Sequence, residues 1–131
     1  MKNKIQQLSY RILEKLNDFH SEVPSSLHKI AQNEILGIYL NSSSYFEDSI
    51  LFTDLGMYII QSEEKSEYIE YNEILNLKVI EQKEVAESIS IERKDGSRIE
   101  VKVLGGKERL RDVWEVYRFL LRATGEVRKY T

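Results

Sequence analysis

A chain of 131 residues and 15.4 kDa fits one domain, and folding at that length hides roughly two-thirds of the unfolded chain's surface. Hydrophobic residues make up 41% and charged residues 31%, a globular and not a disordered balance. Net charge is −3 and there is no cysteine, which excludes disulfides, thiolate metal ligands and a cysteine nucleophile.

Met1-Lys2-Asn3-Lys4 leads into Ile5-Gln6-Gln7-Leu8. Gln6, Gln7, Arg11 and Glu14 interrupt the apolar run of about 7–15 residues that a secretory signal needs. No run approaches the roughly 18 apolar residues of a membrane span, so a cytoplasmic protein is expected. Ile5, Leu8, Ile12, Leu16 and Phe19 recur at spacings of three and four, predicting an amphipathic helix over 3–19. Its stripe packs on the same domain or offers a seam to another chain. Val23-Pro24 closes the segment, and Ser25-Ser26 caps one short turn through Leu27, His28 and Ile30. Residues 1–33 therefore read as a helical extension and residues 34–131 as a β domain with its own helix, together one folding unit.

From residue 34 the period changes to two. Strands are expected over 34–40, 50–53, 57–60, 67–71 and 75–80, separated by Asn41-Ser42-Ser43-Ser44, Asp54-Leu55-Gly56 and the charged tip 62–66. Residues 88–93 and 98–103 alternate strictly around Asp95-Gly96, the signal for a hairpin with one wet and one dry face. After Gly105-Gly106 a helix is expected over about 107–123, with Leu110, Val113, Trp114, Tyr117, Leu120 and Leu121 as its apolar stripe and Gly125 as its stop.

Seven short antiparallel strands followed by one amphipathic helix resemble the pleckstrin-homology-like superfold, in its small bacterial and GRAM-like versions. The resemblance is carried by Ile50-Leu51-Phe52-Thr53-Asp54-Leu55-Gly56-Met57-Tyr58-Ile59, which looks like the family's strand, Thr-Asp-x-Gly turn and aromatic strand. Tyr71-Asn72-Glu73-Ile74 resembles its step into the fifth strand, and the helix with Trp114 its terminal plug. The fold implied is α+β and mainly antiparallel: a seven-stranded sandwich or barrel capped by a C-terminal helix, with an added N-terminal helix. An apolar helical stripe is the simplest lid for the open corner, so Trp114 is expected in the core, burying about 200 Å².

Chemistry is sparse. His20 and His28 are the only histidines and lie eight residues apart, a spacing that puts no i,i+4 metal pair on one face. Gly105-Gly106-Lys107 lacks the spacing of a phosphate-binding loop, and no serine sits in a nucleophile elbow. No catalytic, cofactor-binding or metal-ligating set can be assembled, so no enzyme and no cofactor are expected. Lipid-binding members of the superfold place bases in the first strand-to-strand loop, whereas residues 41–48 hold no base and the acids Glu47 and Asp48.

Residues 34–95 carry fourteen acids against five bases, and residues 107–131 seven bases against four acids. An acidic middle disfavours nucleic acid, whose phosphates need lysine and arginine. The expected partner is a protein with a basic face, and a bacterial immunity protein neutralising a cognate toxin is one concrete form. A lipid- or membrane-associated regulatory domain is the alternative. The candidate partner-binding residues are Tyr45 and Phe46 as loop anchors, with Glu92 and Glu100 on the wet face of the hairpin.

Overall fold

The computed structural model describes residues 2–16, 18–31, 33–42, 44–82, 85–105 and 112–128. The chain opens with α1 (Lys2–Arg11), a 3-10 turn (Leu13–Lys15) and the short strand β1 (Phe19–His20). After α2 (Ser25–His28) come four strands: β2 (Ile35–Tyr39), β3 (Ser49–Thr53), β4 (Gly56–Ile60) and β5 (Ser66–Glu70). A second 3-10 turn (Tyr71–Glu73) leads to β6 (Ile74–Gln82), β7 (Val85–Arg93) and β8 (Arg98–Lys102), and α3 (Asp112–Arg128) follows. All pairings are antiparallel between chain neighbours, giving a five-stranded sheet β1–β5 and a three-stranded sheet β6–β8.

The class is α+β with both terminal helices, but the described strands number eight, not seven, and the sheets do not close into a barrel. The extra strand is β1. Phe19 had the helical spacing, yet the chain leaves helical geometry at Leu16, whose ψ is 152°. Phe19 then pairs with Tyr39, its neighbour Asp18 accepts a bond from the Leu40 N–H at 3.0 Å, and its ring stacks 6.2 Å from that of Phe52. Sheet pairing plus an aromatic contact outweighs one more turn of helix.

The five-stranded sheet is buried on both faces. Tyr39, Ile50, Phe52, Met57, Ile59 and Ile69 point into the main core, and the alternate residues Ile38, Leu51, Tyr58 and Ile60 point into a second apolar cluster. That second face is covered by Leu27 of α2 with Val23, Ile30 and Ala31. Strict alternation would leave one face wet; the apolar runs Ile50-Leu51-Phe52 and Met57-Tyr58-Ile59-Ile60 are what two-sided burial requires. The three-stranded sheet is one-sided, with Ile89, Ile91, Ile99 and Val101 in the main core and polar residues outside.

Both terminal helices close that core. Ile5, Leu8, Ile12 and Leu16 pack in the same cluster as Val113, Val116, Phe119, Leu120, Ala123 and Val127 of α3. Phe119 is the keystone: its ring meets Phe52 at 5.5 Å and Tyr71 at 5.9 Å, both edge-to-face. Trp114 is not in the core. It is 43% exposed, and Leu121 one heptad further is 47% exposed. The expected stripe merged two faces: at 100° per residue Val113, Val116, Phe119, Leu120 and Ala123 share one side, and Trp114 with Leu121 sits about 145° round the helix from its centre. Gly125 does not end the helix either, which runs on to Arg128. The expected start at 107–111 and the residue Leu110 lie outside the described residues.

Three polar nodes lock the elements together. At the β3–β4 turn, Thr53 Oγ1 accepts from Gly56 N (3.1 Å) and Leu55 N (3.3 Å) and donates to Gly56 O (2.9 Å). Tyr71 clamps that turn from the second 3-10 segment, donating its phenol to Thr53 O (2.7 Å) and its N–H to Leu55 O (3.0 Å). At the head of α3, Tyr39 donates to Asp112 Oδ2 (2.9 Å) and accepts from Gly105 N (2.8 Å). Asn41 bridges the sheets: its Nδ2 donates to Asp48 O (2.6 Å) and Lys102 O (2.8 Å), and its Oδ1 accepts from Leu104 N (2.8 Å).

Candidate functional site

The β2–β3 loop holds the first pair of expected contact residues. Tyr45 and Phe46 are half-buried and pack against the second apolar cluster. The loop is tied down locally, since Ser44 Oγ accepts from Phe46 N (3.1 Å) and Ser49 Oγ donates to Tyr45 O (2.5 Å). The pair thus serves as a cover for Leu51 and Tyr58 and offers little free aromatic surface. One of the two acids of this loop is engaged as well, Asp48 meeting Lys102 at 3.8 Å.

Glu92 and Glu100 share the outer face of the three-stranded sheet, as the alternation requires. Glu92 is opposite Arg98 and Ser90 opposite Glu100 in the β7–β8 register, while Asn76 and Lys78 of β6 lie opposite Glu92 and Ser90. Asn76 Nδ2 donates to Glu92 Oε1 (2.9 Å), and Ser88 Oγ donates to Glu100 Oε1 (2.7 Å). The face also presents Lys78, Arg98 and Lys102, so its charges interleave and no unbroken acidic patch forms around the two glutamates. The acidic surplus of the sequence is spread over loops and both sheets.

The hairpin turn follows its sequence signal. Gly96 adopts φ +91° and donates its N–H to Arg93 O at 2.9 Å, a left-handed position that only glycine takes without strain. Ser97 bonds Asp95 through its hydroxyl and N–H, which holds the Asp95 carboxyl below the usual range. Beside this turn a cleft of about 470 Å³ is lined by Tyr68, Asn72, Glu73, Arg93, Lys94 and Asp95. Its bases and acids are balanced, and Arg93 is already held by Glu67 at 3.4 Å. Burial, then the charge of Glu70, pushes the Tyr68 phenol up to about 12. Among the described residues no group of three His, Cys, Asp or Glu side chains is placed to hold a metal ion.

The surface that stands out lies on α3. Trp114 and Leu121 project from its outer side, with the half-buried Tyr117 ring 6.3 Å from Trp114 and perpendicular to it. Glu115, Arg118 and Arg122 border them, and Arg118 pairs with Glu115 at 2.7 Å. Tyr39, Phe52, Tyr71 and Phe119 are inaccessible, whereas Tyr10 of α1 is 64% exposed. Trp114 and Leu121, two turns apart on one side of α3, expose apolar surface that the main core does not use. Sequence reasoning missed it, although the seven-residue spacing of Trp114 and Leu121, offset from Val113 and Leu120, carried the signal.

No helix of the described chain is long and apolar enough to cross a membrane. No protein-family model, no curated protein and no solved structure matches this chain.

Proposed function

We propose that the chain is a non-enzymatic protein-binding domain of pleckstrin-homology-like architecture, working in the bacterial cytoplasm and binding through the outer face of α3. The observation that carries the binding reading is the exposure of Trp114 and Leu121 on that helix, since tryptophan is the residue most enriched at the energetic centres of protein interfaces. The meander β2–β5, the meander β6–β8 and the terminal helix follow the order expected of the superfold, with β1 added; this supports the architectural half of the reading. In its most concrete form the domain is an immunity protein that neutralises a toxin, and the overall net charge of −3 favours the approach of a basic counterpart.

The lipid-binding reading has less behind it: Glu47 and Asp48 occupy the loop where bases are needed, and Lys102 is held by Asp48. Immobilised chain tests the choice. Wild type is expected to retain a specific protein that Trp114→Ala loses while its circular dichroism stays native. Saturable, headgroup-selective pelleting with phosphoinositide liposomes at low salt would overturn the ranking.

A further inference from the structure

We infer that the occupant of the α3 outer face is a second copy of this chain, docked helix to helix in antiparallel fashion about a two-fold axis. This rests on the protein-binding reading of that face. Trp114, Arg118, Leu121 and Gly125 follow spacings of four, three and four, the stripe by which one helix seats on another. Gly125 sits inside α3, where glycine is a poorer choice than any other residue but proline. Among the described residues nothing asks for it, since a Cβ there would meet no atom within 4 Å. Its missing side chain leaves a notch on the solvent side of the helix, eleven residues and about three turns from the projecting indole of Trp114.

An antiparallel two-fold pairing puts each knob over the other copy's notch. Centred between residues 119 and 120, it sets Trp114 against Gly125 of the second copy and Leu121 against the aliphatic stem of Arg118. The flanking charges fit the same symmetry. Glu115 and Arg122 lie on one flank of the stripe, seven residues apart, so the antiparallel arrangement brings Glu115 of each copy to Arg122 of the other. A parallel pairing would face Trp114 with Trp114, leave both notches empty and put the Glu115 flank across from the opposite flank of the second copy, away from Arg122. Self-complementarity of one patch is what an isologous dimer needs. Seventeen residues of helix give about 25 Å of contact. An interface on the order of 1,000 Å² at this size is at the low end of specific complexes, so a Kd in the micromolar range is expected.

Sedimentation velocity on the full chain, from roughly 1 to 500 μM, tests this directly. Wild type is expected to pass from monomer to dimer across that range. Trp114→Ala removes both anchors at once and should weaken the dimer about 100-fold or more. Gly125→Gln fills the notch and should weaken it at least about tenfold while raising the monomer's thermal midpoint, because glutamine is the better helix former. Glu115→Arg and Arg122→Glu should each weaken self-association about tenfold, and an equimolar mixture of the two should recover wild-type affinity as a heterodimer. A wild type that stays monomeric throughout overturns the proposal, and so does a dimer indifferent to Gly125→Gln and to both charge reversals. If the chain stays monomeric yet Trp114→Ala loses a different protein, the second copy is excluded and the contact role of the face survives.

Discussion

Phe119→Ala and Trp114→Ala should separate cleanly in stability, although both residues are aromatic, on one helix and five positions apart. Phe119 is inaccessible and its ring makes edge-to-face contacts with Phe52 and Tyr71. Emptying such a site costs about 3–5 kcal/mol, and losing two aromatic pairs, each worth about 0.5–1.5 kcal/mol, places the variant at the upper end. Trp114 opens to water at 43% exposure and has, among the described residues, one ring partner, on its own helix. Its truncation leaves no sealed cavity and should cost about 1 kcal/mol. Urea denaturation below 1 μM in protein keeps self-association out of the measurement. With an m-value of roughly 1.5 kcal/mol/M, a loss of about 4 kcal/mol moves the midpoint by about 2.7 M. Should Phe119→Ala fail to fold, Phe119→Leu is expected to lose less and still exceed Trp114→Ala. Equal losses, or the reverse order, would refute the placement of α3's two faces.

Tyr71→Phe leaves Thr53 O buried without its phenol donor and should cost about 1–3 kcal/mol by the same assay. Asn41→Asp removes the amide that donates to Asp48 O and Lys102 O and sets a carboxylate beside both carbonyls. It should destabilise by a similar 1–3 kcal/mol or so and speed hydrogen exchange at the end of β8. In alkali, burial holds the Tyr71 phenol far above its ordinary range. Burial and then the Asp112 hydrogen bond do the same for Tyr39, and Tyr68 is pushed up to about 12. Each is a neutral acid whose folded pKa is raised, so the stability it contributes is complete below pH of about 10 and is lost as pH climbs from there toward 12 and beyond. Tyrosinate absorbance for the inaccessible Tyr39 and Tyr71 should therefore appear only together with loss of circular dichroism; reversible titration of either with the fold intact would contradict its burial.

Local pattern made most of the β elements legible, because period and turn chemistry are local properties. The hairpin at Asp95-Gly96 needed only its alternation and its glycine, and the first stripe of Ile5, Leu8, Ile12 and Leu16 is buried as its spacing requires. What was not legible depends on contacts distant in sequence. β1 exists because Tyr39 and Phe52 stand twenty and thirty-three residues away to receive Phe19. Two-sided burial of β3 and β4 depends on residues 23–31 folding back over the sheet. On α3 the apolar residues are numerous enough to line two faces, and only the position of the core decides which face stays dry. That same ambiguity hid the exposed outer face, since Trp114 has the composition of a core residue and stands 43% exposed. At Glu92 and Glu100 the wet face was readable, with Arg98 and Lys102 beside Glu100 in the same alternation, but Lys78, which dilutes its charge further, comes from β6 outside the hairpin.

The chain has a single tryptophan, so acrylamide quenching of intrinsic fluorescence reports on Trp114 alone and tests the exposed outer face of α3 most directly. In the native protein diluted below 1 μM, emission should be red-shifted and quenched nearly as readily as in the urea-unfolded chain. As concentration rises into the micromolar range, emission should move to the blue and quenching should fall in step with dimer formation. Blue-shifted, quench-resistant emission that is the same at every dilution would put the indole in the core and contradict the account.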